Sequence, residues 1–193
     1  MTAMTGWHVE AAVAETLRVL SPYTSAGWEA AAGSLTWTCR TTAAHIAHDL
    51  TAYAMQLAAR EPRRYLPLDL EVRPGTPPAE ILEVIAAAGH LLATVVSAAP
   101  ADARAWHWGP ADAGGFAALG VTETLVHTYD ITQGLGLTWL PPDDLAAAVL
   151  NRLFPDAPPG DPGRVLLWCT GRIALQGRPR RTSWVLSAAI PES

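Results

Sequence analysis

The chain has 193 residues, of which 50% are hydrophobic and 16% are charged, and its formal net charge is -5. These values exclude a disordered polymer, because such a chain needs low hydrophobicity and high net charge. The length fits one domain of ordinary size, alone or with a small appendage. The chain has 13 basic residues, all of them arginine, and 18 acidic residues. Nucleic acid is therefore not an expected partner.

The two cysteines and the N-terminal segment bear on the cellular compartment. Cys39 and Cys169 are too few for a disulfide framework, and we interpret both as small buried hydrophobic residues. Met1 to Val9 lacks the basic cluster and apolar core of a secretory signal. We expect no membrane span, because His, Asp, Arg or Pro interrupts each apolar run. The sequence therefore predicts a cytoplasmic protein with no membrane partner.

Helical spacing of Ala, Leu and Val dominates the first 155 residues and predicts an all-α fold. Prolines and glycines mark where the segments end. We predict four long helices with these approximate bounds: Trp7 to Leu20, Thr38 to Arg60, Pro78 to Ala99, and Gly115 to Gln133. Four helices of this length suggest a four-helix bundle.

The connections between these helices follow from their turn residues. Ser25 to Ala32 is predicted as a turn or short helix, and residues 62 to 78 as an irregular connection containing a short extended piece, Leu68 to Val72. A shorter helix runs from Pro141 to Leu153.

A C-terminal appendage is predicted after a proline-rich linker, Pro155 to Pro162. Val165 to Leu175 fits a helix or a strand, and Thr182 to Ile190 has the composition of a terminal strand. The predicted organisation is a helical bundle over residues 1–154 and a helix/strand appendage over residues 155–193, packed on the bundle.

Glu123, His127 and Asp130 stand at positions i, i+4 and i+7 of the fourth helix, which places them on one stripe. Neighbours of that stripe are apolar, whereas four other polar residues are expected to point elsewhere: Thr122, Thr124, Thr128 and Gln133. Burying an unpaired carboxylate costs several kcal/mol, so Glu123 needs a partner.

The second helix offers such a partner, because it carries His45, His48, Asp49 and Gln56 on one side. A solvated polar face for His45 and a rim position for His48 are the alternatives. If His45 faces Glu123 and His127, two imidazoles and one carboxylate could hold Zn, Ni or Fe. A local ion pair between Glu123 and His127 is the other interpretation.

Two segments resemble a known family. Trp37, Thr38 and Arg40, followed by Ala43-Ala44-His45-Ile46-Ala47, resemble the region around the first metal-binding histidine of the DinB-like superfamily. The run ETLVHTYDI from Glu123 to Ile131, continuing to Gly134-Leu135-Gly136, is similar to the signature of its mycothiol-dependent maleylpyruvate isomerase group. The Gly171-Arg172 and Trp184 pattern is similar to short members of that group.

The resemblance implies a metal centre held by His45, Glu123 and His127, with zinc as the first choice of ion and nickel or iron as alternatives. Asp130 is then expected to orient an imidazole through a hydrogen bond, and a structural role is the alternative. Three protein ligands leave the ion open to substrate. The implied cosubstrate is mycothiol, which adds to a small electrophilic substrate and is then released or retained, as in an isomerase or a transferase.

Several predictions about binding stay less specific. Trp106, His107 and Trp108 could roof the pocket and hold the thiol, or simply pack at the rim. A substrate carboxylate has three candidate partners: Arg40, Arg104 and Arg172. A homodimer is possible. Because the family's full-length isomerase carries a larger C-terminal domain, maleylpyruvate is not assured as substrate. A metal-dependent hydrolase or lyase using water, and a non-catalytic binding module, are the competing functions.

Overall fold

A computed structural model describes residues 4–67 and 69–190. It is mostly helical, as predicted, and the four long helices begin and end within two residues of the predicted positions. The helices are α1 (Gly6–Leu20), α2 (Cys39–Ala59), α3 (Pro78–Ala98), α4 (Ala113–Gly134), α5 (Asp143–Leu153) and α6 (Pro162–Cys169). A 3-10 turn follows α1 at Ser21–Tyr23, and two short antiparallel strands precede α4: β1 (Ala105–Trp106) and β2 (Pro110–Ala111).

Side-chain caps define where α2 and α4 begin. The Thr38 hydroxyl accepts a hydrogen bond from the backbone N–H of Thr41, and the Asp112 carboxylate accepts one from that of Gly115. Each bond satisfies a donor that has no partner inside its helix. At the other end of α4, Gly136 adopts a φ of +71°, a conformation typical of a helix terminator. These caps set the register of the two helices that carry the candidate site residues.

The helix α4 is buried on nearly every side, because α1, α2, α3 and α5 all contact it. Thr122, Thr124 and Thr128, which are expected to point away from the stripe of Glu123 and His127, are nevertheless buried. Thr122 donates to the carbonyl of Ala118, and the hydroxyls of Thr128 and Thr16 lie 2.7 Å apart. A helix packed on nearly every side buries polar residues off its apolar stripe as well, and here their hydroxyl groups find partners within the protein.

A glycine on α3 permits close contact with α1. A Cβ added to Gly89 would lie 2.6 Å from Cγ2 of Val13, whose χ1 angle is restricted in a helix. We expect Gly89→Ala to lower the free energy of unfolding by about 1–2 kcal/mol, because overpacking outweighs the gain in helix propensity.

Urea denaturation of the variant and of a control, Gly27→Ala, measures this effect. A Cβ at Gly27 meets no atom within 4 Å, so its substitution is expected to leave the midpoint nearly unchanged. Equal midpoints for wild type and Gly89→Ala would contradict the close packing of α1 on α3.

The helix α3 bears on the expectation that the chain has no membrane span. Within the part of the chain that the structure describes, Pro78–Ala98 is the one helix long and apolar enough to cross a bilayer, by length and composition only. Glu83 and His90 do not lower the mean hydropathy of this helix enough to exclude it. The helix packs against α1 and α2 and buries residues such as Ile81, Ile85 and Leu92. A core helix meets the same criterion, so the finding is weak evidence for a membrane span.

Two predicted extended segments are not strands. Leu68 lies outside the described residues, and 69–72 form irregular backbone that meets α2 where the ring of His48 bonds the carbonyl of Leu70. Residues 182–190 form a single bridge, between Ala189 and Ala111. Neither segment lies beside a strand long enough to form a ladder of backbone hydrogen bonds. Their β-favouring composition therefore does not produce a strand.

The C-terminal residues contact the helices through side chain to backbone hydrogen bonds. The guanidinium of Arg152 on α5 donates to the carbonyls of Ser187 and Ala188 and forms an ion pair with Asp112 at the start of α4. Val165 to Leu175 fits either a helix or a strand by sequence, and in the structure it contains the end of the short helix α6 followed by a turn. The division of the chain at residues 154 and 155 stays a prediction.

Candidate metal centre

Two neighbouring helices bring His45, Glu123 and His127 together. One ligand atom from each residue lies within 4.8 Å of the others. Nε2 of His127 is 3.2 Å from Oε2 of Glu123, and Nε2 of His45 is 3.9 Å from that same oxygen. The two imidazole centroids are 5.0 Å apart. His45 therefore faces the stripe of α4 and does not lie on a solvated face.

Asp130 and Arg172 fix the orientation of His127. Nδ1 of His127 lies 2.9 Å from Oδ2 of Asp130, which favours a proton on Nδ1 and directs Nε2 towards Glu123. Arg172 donates through Nε and Nη2 to both oxygens of Asp130, at 3.2 and 2.9 Å. Asp130 is only 2% exposed, so this two-pronged pair supplies the charge that a buried carboxylate requires.

The carboxylates give the site a negative potential. Burial by itself lowers the pKa of His127, but hydrogen bonds to Asp130 and Glu123 outweigh burial and raise it to about 9. Burial by itself raises the pKa of Glu123, and contacts with His127, His45 and Arg172 reverse that direction. For His45, burial and the charge of His127 lower the pKa to about 4, which leaves the imidazole neutral. Neutral imidazole is the form that binds a metal, so His45 can bind an ion directly, whereas His127 must first release its Nε2 proton.

Asp49 and Trp37 belong to the same cluster, although sequence reasoning gave them no role there. Oδ2 of Asp49 lies 3.3 Å from Nε2 of His45, and burial together with the charge of Glu123 raises the pKa of Asp49 to about 7. The Trp37 ring lies 4.8 Å from that of His45 and is 41% exposed. The spacing of His45 and Asp49, four residues apart on α2, was a signal that could have found Asp49.

Comparison with known proteins gives one match. A family model described as the mycothiol maleylpyruvate isomerase N-terminal domain matches residues 9–132. The chain belongs to this family. The match includes His45, Glu123 and His127, and it confirms the resemblance drawn from the two sequence segments. Neither the curated proteins nor the solved structures include a match to the chain.

The donor set in this family member fits a divalent transition metal. Two imidazole nitrogens and one carboxylate oxygen are ligands that zinc, nickel and iron accept. Before a metal binds, the carboxylates of Glu123 and Asp130 are balanced by the guanidinium of Arg172 and by the protonated ring of His127, whose Nε2 proton a bound cation would replace.

The cysteines and the candidate arginines are engaged elsewhere. Cys39 and Cys169 are both buried, as predicted, and burial raises the pKa of each thiol. Arg172 is paired with Asp130, and Arg104 donates to backbone carbonyls in its own loop. Arg40 forms an ion pair with Glu29 and donates to the carbonyl of Thr76. The arrangement assigns none of the three to a substrate carboxylate.

The loop before α4 contributes one buried side chain near the cluster. His107 is 9% exposed and lines a cavity beside Asp49, and its Nδ1 has no hydrogen-bond partner among the described residues. An unpartnered buried polar atom costs about 1–3 kcal/mol. Trp108 is 79% exposed, and the backbone of Trp106 donates to the carbonyl of Glu61. The structure therefore places His107 at a cavity, and the binding role of Trp106 and Trp108 stays a prediction.

A second groove, larger than the cavity at His107, also has His48 in its lining. It has a volume of about 470 Å³ and is lined by Trp37, Arg40, His45 and the irregular segment 69–75. Its wall is formed by polar and apolar groups together. A ligand in this groove would contact the imidazole of His45 directly.

Proposed function

We propose that the protein is a metal-dependent enzyme that uses a low-molecular-weight thiol, mycothiol, to isomerise a small electrophile or to transfer the thiol to it. The observation that supports this most is the convergence of His45, Glu123 and His127 within 4.8 Å, in a member of a family named for mycothiol. The four long helices are proposed to form the DinB-like bundle, with the ligands on facing helices.

His45, Glu123 and His127 would hold the ion, which is proposed to be zinc, with nickel or iron as alternatives. A bound divalent ion supplies Lewis acidity that lowers the pKa of a coordinated thiol or water. Three protein ligands are typical of catalytic zinc sites, whereas structural sites use four. The local geometry therefore favours a reactive centre over a purely structural one.

The remaining side chains prepare these ligands. Asp130 accepts the Nδ1 proton of His127 in a hydrogen bond and leaves Nε2 free to act as a ligand. Arg172 holds Asp130 in place and offsets its charge. Trp37 packs edge to face against the His45 ring, with the two ring centroids 4.8 Å apart. Each of these contacts restricts the side-chain conformations of the proposed metal ligands before substrate binds.

The thiol is proposed to come from the cosubstrate and not from the protein. Both cysteines are buried and their pKa values are raised, so neither supplies a ready thiolate. The groove beside Trp37, Arg40 and His45 is large enough for a sugar-bearing thiol. Polar and aromatic groups in its wall suit a sugar.

Thiol dependence is the test of this proposal. Zinc-loaded protein is mixed with maleylpyruvate, or with the aromatic electrophile 1-chloro-2,4-dinitrobenzene, in the presence and absence of mycothiol. In the second reaction, sulfur bonds to the ring carbon, chloride leaves, and the thiol proton passes to the buffer. We expect product only with thiol, above the uncatalysed rate, and the same rate for a Cys39→Ala/Cys169→Ala variant.

Two outcomes would contradict the proposal. Equal rates with and without thiol, with water as the nucleophile, would favour a metal-dependent hydrolase or lyase. Absence of turnover for either substrate with thiol and metal present would favour a non-catalytic binding module. The cytoplasmic location and the homodimer stay predictions.

A further inference from the structure

Three arginines lie close together in the chain after α6, at positions 178, 180 and 181. Arg180 is engaged, because its guanidinium donates to the carbonyl of Gly171 and to the hydroxyl of Ser34. Arg178 and Arg181 form no ion pair among the residues that the structure describes, whereas five other arginines do. The charges of these two side chains can therefore contact a ligand.

One tryptophan ring positions both guanidinium groups. Cζ of Arg178 lies 5.5 Å and Cζ of Arg181 lies 5.0 Å from the centroid of the Trp168 ring on α6, distances typical of cation–π contacts. The ring itself is fixed, since its Nε1 donates to the carbonyl of Pro179 at 3.0 Å. Backbone hydrogen bonds between Leu175 and Arg178 close the turn that carries the first of the two arginines. Both side chains therefore lose less conformational freedom on binding a ligand than unrestrained surface arginines lose.

Both arginines line one cavity between the end of α5, α6 and the C-terminal residues. Its volume is about 450 Å³, which is within the range of small-molecule sites. The other charged or polar groups of the lining are the carboxylate of Asp156, the hydroxyl of Ser187 and the thiol of Cys169. Burial raises the pKa of that thiol, so the thiol carries no charge that could offset the arginines. Two guanidinium groups against one carboxylate leave the lining with a net positive charge.

The rest of the lining is apolar. Leu153 and Phe154 are buried. An apolar group bound in the cavity would remove apolar surface from water, which is favourable, whereas a small inorganic anion would leave that surface exposed. The lining therefore favours a ligand with an apolar body and a charged end. Six apolar residues of the lining keep accessible surface: Pro155, Ala157, Pro158, Pro159, Trp168 and Val185.

We propose that this cavity binds an organic monoanion with an apolar body, whose carboxylate group contacts the guanidinium groups of Arg178 and Arg181. Guanidinium groups bind carboxylate oxygens through paired N–H donors, and a monoanion offsets the net charge of the lining. The net charge of the chain is -5, so attraction of an anion depends on this local arrangement and not on the whole protein. The assignment goes beyond the proposed function and does not depend on it.

Four matched probes, followed by NMR titration of the full chain, test the charge and the apolar body separately. Three of them share a ring, namely 4-methylbenzoate, p-xylene and 4-methylbenzylamine, and acetate supplies the charge alone. We expect 4-methylbenzoate to bind at least about tenfold more tightly than each of the others, because only this probe matches both parts of the lining. Absence of 4-methylbenzoate binding, or equally tight binding of any other probe, would overturn the assignment.

Zinc separates this cavity from the candidate metal centre, where a carboxylate could also bind. The titration is therefore made with and without zinc, at constant ionic strength. We expect equal affinities for 4-methylbenzoate, because none of the proposed metal ligands lines the cavity. Binding of 4-methylbenzoate to the zinc-loaded protein alone would overturn the location.

Removal of the arginine charges tests the proposed contacts. The double variant Arg178→Gln/Arg181→Gln keeps polar side chains and is expected to weaken 4-methylbenzoate binding at least about tenfold. The control Arg63→Gln/Arg164→Gln removes two exposed charges outside the lining and is expected to leave the affinity unchanged. Circular dichroism checks the fold of both variants. Wild-type affinity in folded Arg178→Gln/Arg181→Gln would overturn the proposal.

Val185 provides a second test of the location, because it lines the cavity and is 86% exposed, so its substitution leaves the core intact. Val185→Asp adds a negative charge to the wall, whereas Val185→Asn adds an uncharged amide of nearly the same size. We expect 4-methylbenzoate to bind about threefold more weakly to Val185→Asp than to Val185→Asn, because like charges repel. Equal affinities of the two variants would contradict the location.

Discussion

Replacing His127 with alanine is expected to reduce bound zinc from about one ion per chain to nearly none. The imidazole is 6% exposed, and its Nε2 lies 3.2 Å from the Glu123 carboxylate, so it is the most enclosed of the three proposed ligands. Two remaining ligands from the protein hold an ion far more weakly than three. Metal analysis after purification without chelator, followed by zinc titration, measures the change.

The matched control is His90→Ala, which removes an exposed histidine from α3. We expect the control to retain the zinc content of wild type. Circular dichroism of both variants separates loss of ligand from loss of fold. A folded His127→Ala variant that still binds one zinc with wild-type affinity would contradict the proposed ligand set.

Replacing Arg172 with alanine is expected to lower the free energy of unfolding by about 3 kcal/mol. The Arg172 and Asp130 side chains are 11% and 3% exposed, and two hydrogen bonds join them. Without the guanidinium, Asp130 becomes a buried carboxylate whose remaining partner is His127. The cost is therefore that of a buried carboxylate that keeps only one cationic partner, the His127 ring, together with the lost packing of Arg172 on the Trp184 ring.

Urea denaturation of Arg172→Ala beside Arg63→Ala tests this prediction. Arg63 pairs with Glu61 at the surface, where the side chain is 85% exposed, so its removal is expected to have little effect. Zinc affinity of the Arg172 variant is expected to fall as well, since Asp130 loses the contact that holds it against His127. Equal stabilities of the two variants would show that the buried pair contributes no more than a surface one.

Sequence periodicity predicted most of the fold and part of the site. Helix bounds came close because prolines and glycines mark where the helical segments end. The order of Glu123, His127 and Asp130 along one stripe of α4 followed from 3.6 residues per turn. Resemblance to the family added the interpretation of that stripe as a metal site.

Contacts between distant segments could not be predicted in the same way. The direction of His45 depends on how α2 is rotated against α4, and local spacing carries no information about that rotation. The pairing of Arg172 with Asp130 joins residues 42 positions apart. The cavity at His107 depends on where a loop packs against α2. The prediction of a terminal strand over Thr182 to Ile190 is wrong for the same reason. A strand requires a neighbouring strand, and the composition of one segment does not show whether such a neighbour exists.

The most direct test of the central claim is anomalous diffraction from a crystal of zinc-loaded protein, recorded on both sides of the zinc absorption edge. The account predicts one strong anomalous peak per chain, about 2.0–2.2 Å from a nitrogen of His45, a nitrogen of His127 and a carboxylate oxygen of Glu123. A peak bound by other residues, with these three side chains free of metal, would contradict it.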